Sequence, residues 1–303
     1  MWKKRTEAWG KAENESTVRK EAGNTDGNKI RKIAFVIHPE RPDAWNEAGK
    51  MAEILEAAGL RIAYPQKGET ADGCGMVMTF GGDGTLLMGA GTAIRLGCPL
   101  MGINLGTVGF LTEGDPEQRE TIARKILQGE FSVENRELLQ VQVNSEPETF
   151  TALNDAVVTR GGYARLIQVE TLVNQDHWGT FTADGVIAAT PTGSTGYSLS
   201  AGGPVVAPGV ECMVITPVCA HSLQHCPCIV PRNAEVIFHL RSDRAQRAEL
   251  QIDGQSKRKI HAGDTVRITG SSESLQLVRI HDYRFFTVLH TKLNEWSRED
   301  SER

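Results

Sequence analysis

The chain is predicted to join an N-terminal Rossmann-like α/β domain, built on a parallel sheet, to a C-terminal all-β domain of sandwich type. Three observations carry this. Apolar runs and helical-period segments alternate over the first half of the chain, many short β-type runs follow from about Phe131, and a glycine-rich loop sits where one early strand passes into a helix. Residues 1–29 are rich in Glu, Lys, Asn, Gly and Thr without a sustained apolar period and read as a disordered tail. The run Ile33-Ala34-Phe35-Val36-Ile37 reads as a buried parallel strand, and 44–58 carries apolar residues at helical spacing. The pattern recurs in a strand at 61–64, a strand at 76–80, a helix at 86–96, a short strand at 100–103 and a helix at 116–127. Short strands are then expected at 138–143, 156–159, 167–173, 185–189, 214–217, 236–240, 250–252, 265–269 and 276–280. The expected division is therefore tail 1–29, α/β domain 30–135, β-sandwich domain 136–282, and a segment 283–303, helical around 285–296, that returns to the α/β domain.

Composition narrows the function. A length of 303 residues allows two domains with their own cores, and a net charge of −5 with 23% charged residues describes an ordinary soluble surface. No basic track with interleaved aromatics suggests nucleic acid. No apolar stretch approaches the roughly 20 residues that cross a bilayer, and the basic start runs into polar residues, so a cytoplasmic location is expected. Cys212, Cys219, Cys226 and Cys228 cluster with His221 and His225, but lack the C-x2-C pairs of structural zinc sites. They are read as buried, reduced thiols rather than metal ligands.

Two glycine-rich segments carry the chemistry. Gly81-Gly82-Asp83-Gly84-Thr85 follows Met76-Val77-Met78-Thr79-Phe80 at the carboxyl end of a strand, where backbone N–H groups and a helix N-terminus favour phosphate. Asp83 is the one ionisable side chain there, with three available tasks: holding a divalent metal, accepting a hydroxyl proton or gripping a sugar hydroxyl. Asn104 is expected beside it, at the end of the next strand. The second segment, Thr190 to Ser200, packs seven hydroxyls into eleven residues around Gly193 and Gly196. It suits wrapping a ribose and a purine, or equally a connection that bonds its own backbone.

The set GGDGT, GINLGTVGFL, ALND, ADGVIAATPTGSTGYSLSAGGP and IDGQ, in this order, resembles the NAD kinase family along about 270 residues from Lys32 onward. The resemblance implies NAD bound between the two domains, ATP or polyphosphate as donor, a divalent cation such as Mg²⁺, and a homodimer or homotetramer. It places Asp83 as the base for the 2′-hydroxyl of the adenosine ribose, with Gly84 adjoining it at the NAD contact and Gly81, Gly82 and Thr85 completing the phosphate loop. Asn154 and Asp155 fall where sugar hydroxyls are contacted, Asp155 standing where the family usually has Glu. Arg165 would face the dinucleotide phosphates, or stand as an exposed arginine on a β-edge. Asp184 matches the acid of the family's Asp-Gly pair, and Thr195, Gly196, Tyr197, Ser198 and Ser200 match its adenosine-holding segment. Gln255 matches a ligand-side position, although Asp253-Gly254 before it is also a hairpin signal. Phe110 would stack on adenine or belong to the core.

The chain departs from the family where Pro-His-Ser-Leu-x-x-Arg-Pro is common, reading Ala220-His221-Ser222-Leu223-Gln224-His225-Cys226-Pro227, and it has Thr182 where some members carry a basic residue. A diacylglycerol- or sphingosine-type lipid kinase shares the GGDGT loop, and a non-catalytic NAD(P)-binding sensor would share the adenosine-holding residues. These are the alternative readings.

Overall fold

The structure, a computed structural model, describes residues 21–22, 30–106, 109–162, 165–221, 226–241, 248–282 and 284–299. The expected tail lies outside the described residues except for Glu21–Ala22 (β1), which pairs with Val133 and Ser132. The first half contains β2 (Lys32–Ile37), α1 (Pro42–Ala57), β3 (Arg61–Ala63), β4 (Met76–Gly81), α2 (Asp83–Leu96), β5 (Leu100–Asn104) and α3 (Arg119–Gln128). Strands β3, β2, β4 and β5 lie side by side and parallel. Strand alternation divides the apolar residues between two faces. Ile33, Phe35 and Ile37 pack with Met51 and Leu55 of α1 and Ile122 and Ile126 of α3, while Ala34 and Val36 belong to the cluster of Leu86 and Ala93 from α2. Helix α1 opens two residues earlier than its apolar period suggests, because a proline is well suited to a first turn whose N–H groups have no helical partner.

The second half comprises β6 (Ser132–Val143), β7 (Thr149–Ala152), β8 (Asp155–Thr159), β9 (Ile167–Val173), β10 (Asp176–Ala183), β11 (Gly185–Ala189), α4 (Tyr197–Ser200), β12 (Cys212–Val218), β13 (Cys228–Pro231), β14 (Val236–Leu240), β15 (Ala248–Ile252), β16 (Gln255–Ile260), β17 (Thr265–Arg279) and α5 (Phe285–Glu299). One sheet of six antiparallel strands runs β13-β12-β11-β8-β15-β16. It packs face to face on β10-β9-β14-β17 through Val158, Val186 and Ile215 on one side and Val169, Phe181, Phe238 and Val266 on the other.

The sandwich is not a detached unit. β17 pairs antiparallel with β14 near its start, antiparallel with β6 over its length, and parallel with β5 at Leu277 and Leu100. The sequence suggested two separate strands at 265–269 and 276–280; the structure makes them one strand with an irregularity between Gly270 and Ser274. β6 likewise runs through the expected boundary at residue 135. Strands β7, β10, β13 and β16 had no counterpart in the sequence reading. β16, Gln-Ser-Lys-Arg-Lys-Ile, is an exposed edge strand whose register comes from its hairpin partner rather than from apolar alternation. At the other end of the chain, Phe285, Val288 and Leu289 of α5 pack against the cluster containing Leu86, Ala90 and Phe110.

Candidate active site

The Asp83 loop is built at the carboxyl end of β4. Gly81 has φ 156°, and a Cβ there would stand 2.1 Å from Thr85 Oγ1, so the turn into α2 requires glycine. Asp83 is the first residue of α2, beside the helix N-terminus, with Gly84 exposed next to it. Its carboxylate accepts three backbone N–H groups from the loop after β5: Phe110 at 2.9 Å, Leu111 at 3.1 Å and Thr112 at 3.3 Å. A carboxylate offers about four lone-pair directions, so one remains for a ligand hydroxyl. Gly109 admits this arrangement, because a Cβ there would lie 2.2 Å from Asp83 Oδ1. Asn104 pairs in register with Gly81 and donates from Nδ2 to the carbonyl of Gly106 at 3.0 Å. Phe110 meets Asp83 through its backbone; its ring is buried against Phe285 of α5, at 6.4 Å between centroids.

A second aspartate repeats the device. Asp253 accepts N–H bonds from Leu153 at 2.9 Å, Asn154 at 2.7 Å and Asp155 at 3.2 Å, which fixes the entry to β8. Asp253 (φ 50°) and Gly254 (φ 74°) form the two-residue turn between β15 and β16, and Gln255 leaves that turn exposed, its Oε1 accepting from Lys257 Nζ at 2.6 Å. Asp155 is enclosed: burial first, and the neighbouring Asp253 charge second, push its carboxyl up to about 7. Burial also raises Asp253, against the lowering effect of its three N–H bonds. The sequence could have shown Asp253 as a loop anchor, since it opens an Asp-Gly pair like those at Asp83 and Asp184.

The hydroxyl-rich turn is mostly self-satisfied. Thr190 Oγ1 donates to the carbonyl of Leu153 at 2.6 Å, Ser194 Oγ to Pro191 at 2.7 Å, and Thr195 Oγ1 to Thr192 at 3.2 Å. Ser198 is fully enclosed, with its Oγ 2.8 Å from that of Thr216, and Thr192 Oγ1 accepts from Arg136 at 3.4 Å. Tyr197 and Ser200 are the exposed hydroxyls of this turn, and Gly196 is half-buried. Burial first, then the negative charges of Cys219, Asp184 and Asp155, push the Tyr197 hydroxyl above its ordinary value. Asp184 pairs with Arg160 across β8 and β11, a partner that sequence reading did not find. Arg165 is exposed in the connection between β8 and β9. The backbone joins the two segments: Thr190 N–H donates to the carbonyl of Asn154 at 2.8 Å, and a Cβ on Gly193 would lie 2.0 Å from that same oxygen. Leu153 shares a core cluster with Phe110 and Leu111, so the β8 entry abuts the loop bound to Asp83.

The cysteine reading needs correction: Cys212 is buried in β12, but Cys219, just past the end of that strand, and Cys226, just before β13, are exposed. Residues 222–225, His225 among them, lie outside the described residues; of the two positions that depart from the family's motif, Ala220 is half-buried against the sandwich core and Cys226 is exposed. Among the described residues no three His, Cys, Asp or Glu side chains converge as a metal site, and no helix is long and apolar enough to cross a membrane.

Comparison with known proteins gives a consistent result. The family model for the ATP-NAD kinase N-terminal domain matches residues 64–131, and that for the ATP-NAD kinase C-terminal domain matches 153–280. The chain is 35% identical over 289 residues to the NAD kinase of Moorella thermoacetica, covering 90% of this chain and 93% of that one. It is 39% identical over 283 residues to the NAD kinase of Geobacter sp. (strain M21), covering 87% and 98%. Among solved structures, yeast NADH kinase complexed with NADH shares the fold, with a TM-score of 0.79 at 22% identity over 88% of this chain and 89% of that one. An NAD kinase from Archaeoglobus fulgidus in complex with ATP aligns with a TM-score of 0.68 at 25% identity, over 87% and 98%.

Proposed function

The chain belongs to the NAD kinase family and phosphorylates NAD, and we propose that Asp83 is the residue at which the reacting ribose hydroxyl gives up its proton. The observation that carries this is the Asp83 carboxylate, held by three backbone N–H bonds at the end of β4 with one lone-pair direction remaining. A ribose 2′-hydroxyl is a poor nucleophile, and a fixed carboxylate that accepts its proton as the O–P bond forms favours attack. The hydroxyl oxygen bonds to the terminal phosphorus of the donor, the bond to the leaving diphosphate breaks, and the proton passes to Asp83.

The rest of the site positions the substrate. Asn154 and Asp155 would meet sugar hydroxyls, Tyr197 and Ser200 the adenosine, Gln255 the ligand beside the β15–β16 turn, and Arg165 the dinucleotide phosphates. Asp184, steadied by Arg160, would contribute a further acceptor. Thr195 and Ser198 act through the shape of their turn, since their hydroxyls are bonded within the protein. The phosphate loop is Gly81 to Thr85, and ATP is the proposed donor, with polyphosphate its substitute. With no converging acidic or histidine cluster among the described residues, a divalent cation such as Mg²⁺ would be carried by the donor phosphates. When bound, it neutralises charge on the transferring group. A homodimer or homotetramer in the cytoplasm completes the reading. Both matched family models are of ATP-NAD kinases, which leaves the lipid-kinase alternative without support.

The test is NADP⁺ formation from NAD⁺, ATP and Mg²⁺ by the purified protein, with Asp83→Asn beside it. The variant is expected to bind NAD⁺ by calorimetry and to turn over about 10²-fold more slowly, the scale of a lost general base. Turnover near the parent value would remove Asp83 from this role. An inactive parent that binds NAD⁺ would favour a sensor.

A further inference from the structure

Behind the two signature loops lies a quartet of charged side chains that no step of the chemistry uses. Arg136, Arg279, Glu134 and Glu113 are all at most 7% exposed at the side chain. Glu134 Oε2 accepts from Arg136 Nη2 at 2.8 Å and from Arg279 Nε at 3.0 Å. Arg279 Nη1 reaches Glu113 Oε2 at 2.9 Å and the carbonyl of Leu111 at 3.4 Å, while Glu113 Oε1 accepts the N–H groups of Ile280 and His281 at 3.1 and 2.9 Å. At the other end Arg136 Nη1 donates to Thr192 Oγ1 at 3.4 Å. Burial works against the charge on Glu134, but the two guanidiniums outweigh it and hold its carboxyl below its ordinary value.

The two ends are the informative part. Leu111 is one of the residues whose N–H holds Asp83, and the carbonyl of Thr192 accepts the hydroxyl of Thr195 in the turn of the second signature. The arginines and Glu134 stand on β6 and β17, the paired strands that run from the sandwich into the parallel sheet. Four buried charges are seldom the most stabilising way to fill a core, since apolar residues of similar size often do as well or better. What they add is direction, because a guanidinium fork accepts only a narrow set of partner positions.

We propose that Glu113, Glu134, Arg136 and Arg279 form a brace that sets the Asp83 loop against the Thr192–Ser198 turn, so that the four act as positioning residues for phosphoryl transfer. The inference rests on the assignment of Asp83 to the reacting hydroxyl. A brace of this kind acts on orientation at the moment of reaction rather than on affinity, and small misplacements of reacting groups can cost up to about 10²-fold in rate.

The decisive variant is Glu134→Leu/Arg136→Met, which removes one charge of each sign and leaves Arg279 paired with Glu113. It is expected to melt within a few degrees of the parent and to keep KM for NAD⁺ within about threefold, while kcat falls about tenfold or more. A folded variant with unchanged kcat overturns the brace, as does one whose loss lies in KM alone. If the double variant does not fold, Arg136→Lys replaces it. One ammonium cannot reproduce the fork between Glu134 and Thr192, so kcat is again expected to fall at constant KM, and an unchanged kcat again overturns the proposal. Hydrogen exchange supplies a readout independent of turnover. NAD⁺ is expected to slow exchange in both 109–113 and 190–200 of the parent, and in 190–200 alone of the variant. Protection retained at 109–113 in the variant overturns the brace even if the parent forms no NADP⁺, an outcome that would defeat the catalytic reading separately.

Discussion

Asp155 shows how one residue's surroundings become a measurable property. It stands in a buried strand with Asp253 as neighbour, and burial together with that charge raises its carboxyl from 3.8 to about 7. A native pKa above the unfolded one means that the folded protein must either hold a proton which the unfolded chain has released or carry a desolvated charge. Its contribution to stability is therefore lost as pH rises from about 4 through 7. The full cost above pH 7 is on the order of 4 kcal/mol before any relaxation. Asp155→Asn without ligand should accordingly melt several degrees above the parent at pH 8, with the gap closing towards pH 4, as followed by circular dichroism. A gap independent of pH would mean that Asp155 is ionised in the fold without penalty. The same residue explains a limit of sequence reading: Ala-Leu-Asn-Asp shows a polar pair at the start of a strand, but not that the Asp155 carboxyl is enclosed while the Asn154 backbone lies against Gly193 and its side-chain amide near Gly196.

At the scale of elements, the hydroxyl-rich turn is pinned to its surroundings by its own hydrogen bonds. Thr190 and Ser194 lock its start to Leu153, Pro191 and Val206, and the peptide of Gly193 lies on the backbone of Asn154. The three atoms nearest an added Cβ are all main chain of Asn154, so none can move aside for a methyl group. Gly193→Ala is expected to cost about 2–4 kcal/mol by urea denaturation, the range for a steric insertion into a packed site that cannot relax, and to weaken NAD⁺ binding. Gly196 differs: the nearest atom to an added Cβ is the carbonyl oxygen of Gly193 at 3.3 Å. Gly196→Ala should therefore change stability by no more than about 1 kcal/mol. Equal losses in the two variants would mean that the contact with Asn154 does not determine the turn.

The whole molecule is held by two long strands. β6 and β17 pair from Val143 and Val266 to Ser132 and Arg279, so the sandwich and the parallel sheet share one continuous ladder. Charge pairs between Arg279 and Glu113 and between Arg136 and Glu134 lie along it. Domains joined by a flexible linker unfold separately, whereas a shared ladder makes each half lose its partner when the other melts. Scanning calorimetry is expected to show a single transition with calorimetric and van't Hoff enthalpies in agreement. Two resolved transitions would show that the ladder does not couple the halves.

The sequence by itself determined the two-part architecture, the glycine-rich turn at the end of β4, the hydroxyl-rich turn, and Asp83 as the residue to watch. These are encoded locally: a period of two or 3.6 residues, glycines at a strand end, and an acid beside them all act within a few positions. Strands such as β10 and β16 escaped because their alternation is broken by Gly179 or replaced by charged edge residues. Only the tertiary structure decided which hydroxyls the turn keeps for itself, that three N–H groups about 28 residues downstream hold Asp83, and that Glu113, Glu134, Arg136 and Arg279 meet. The reason is physical. A buried charge or a carboxylate looks the same in sequence whatever partner it finds, and Arg279 finds its partners 145 and 166 residues away, at a place that exists only once β6, β17 and the 109–113 loop have packed.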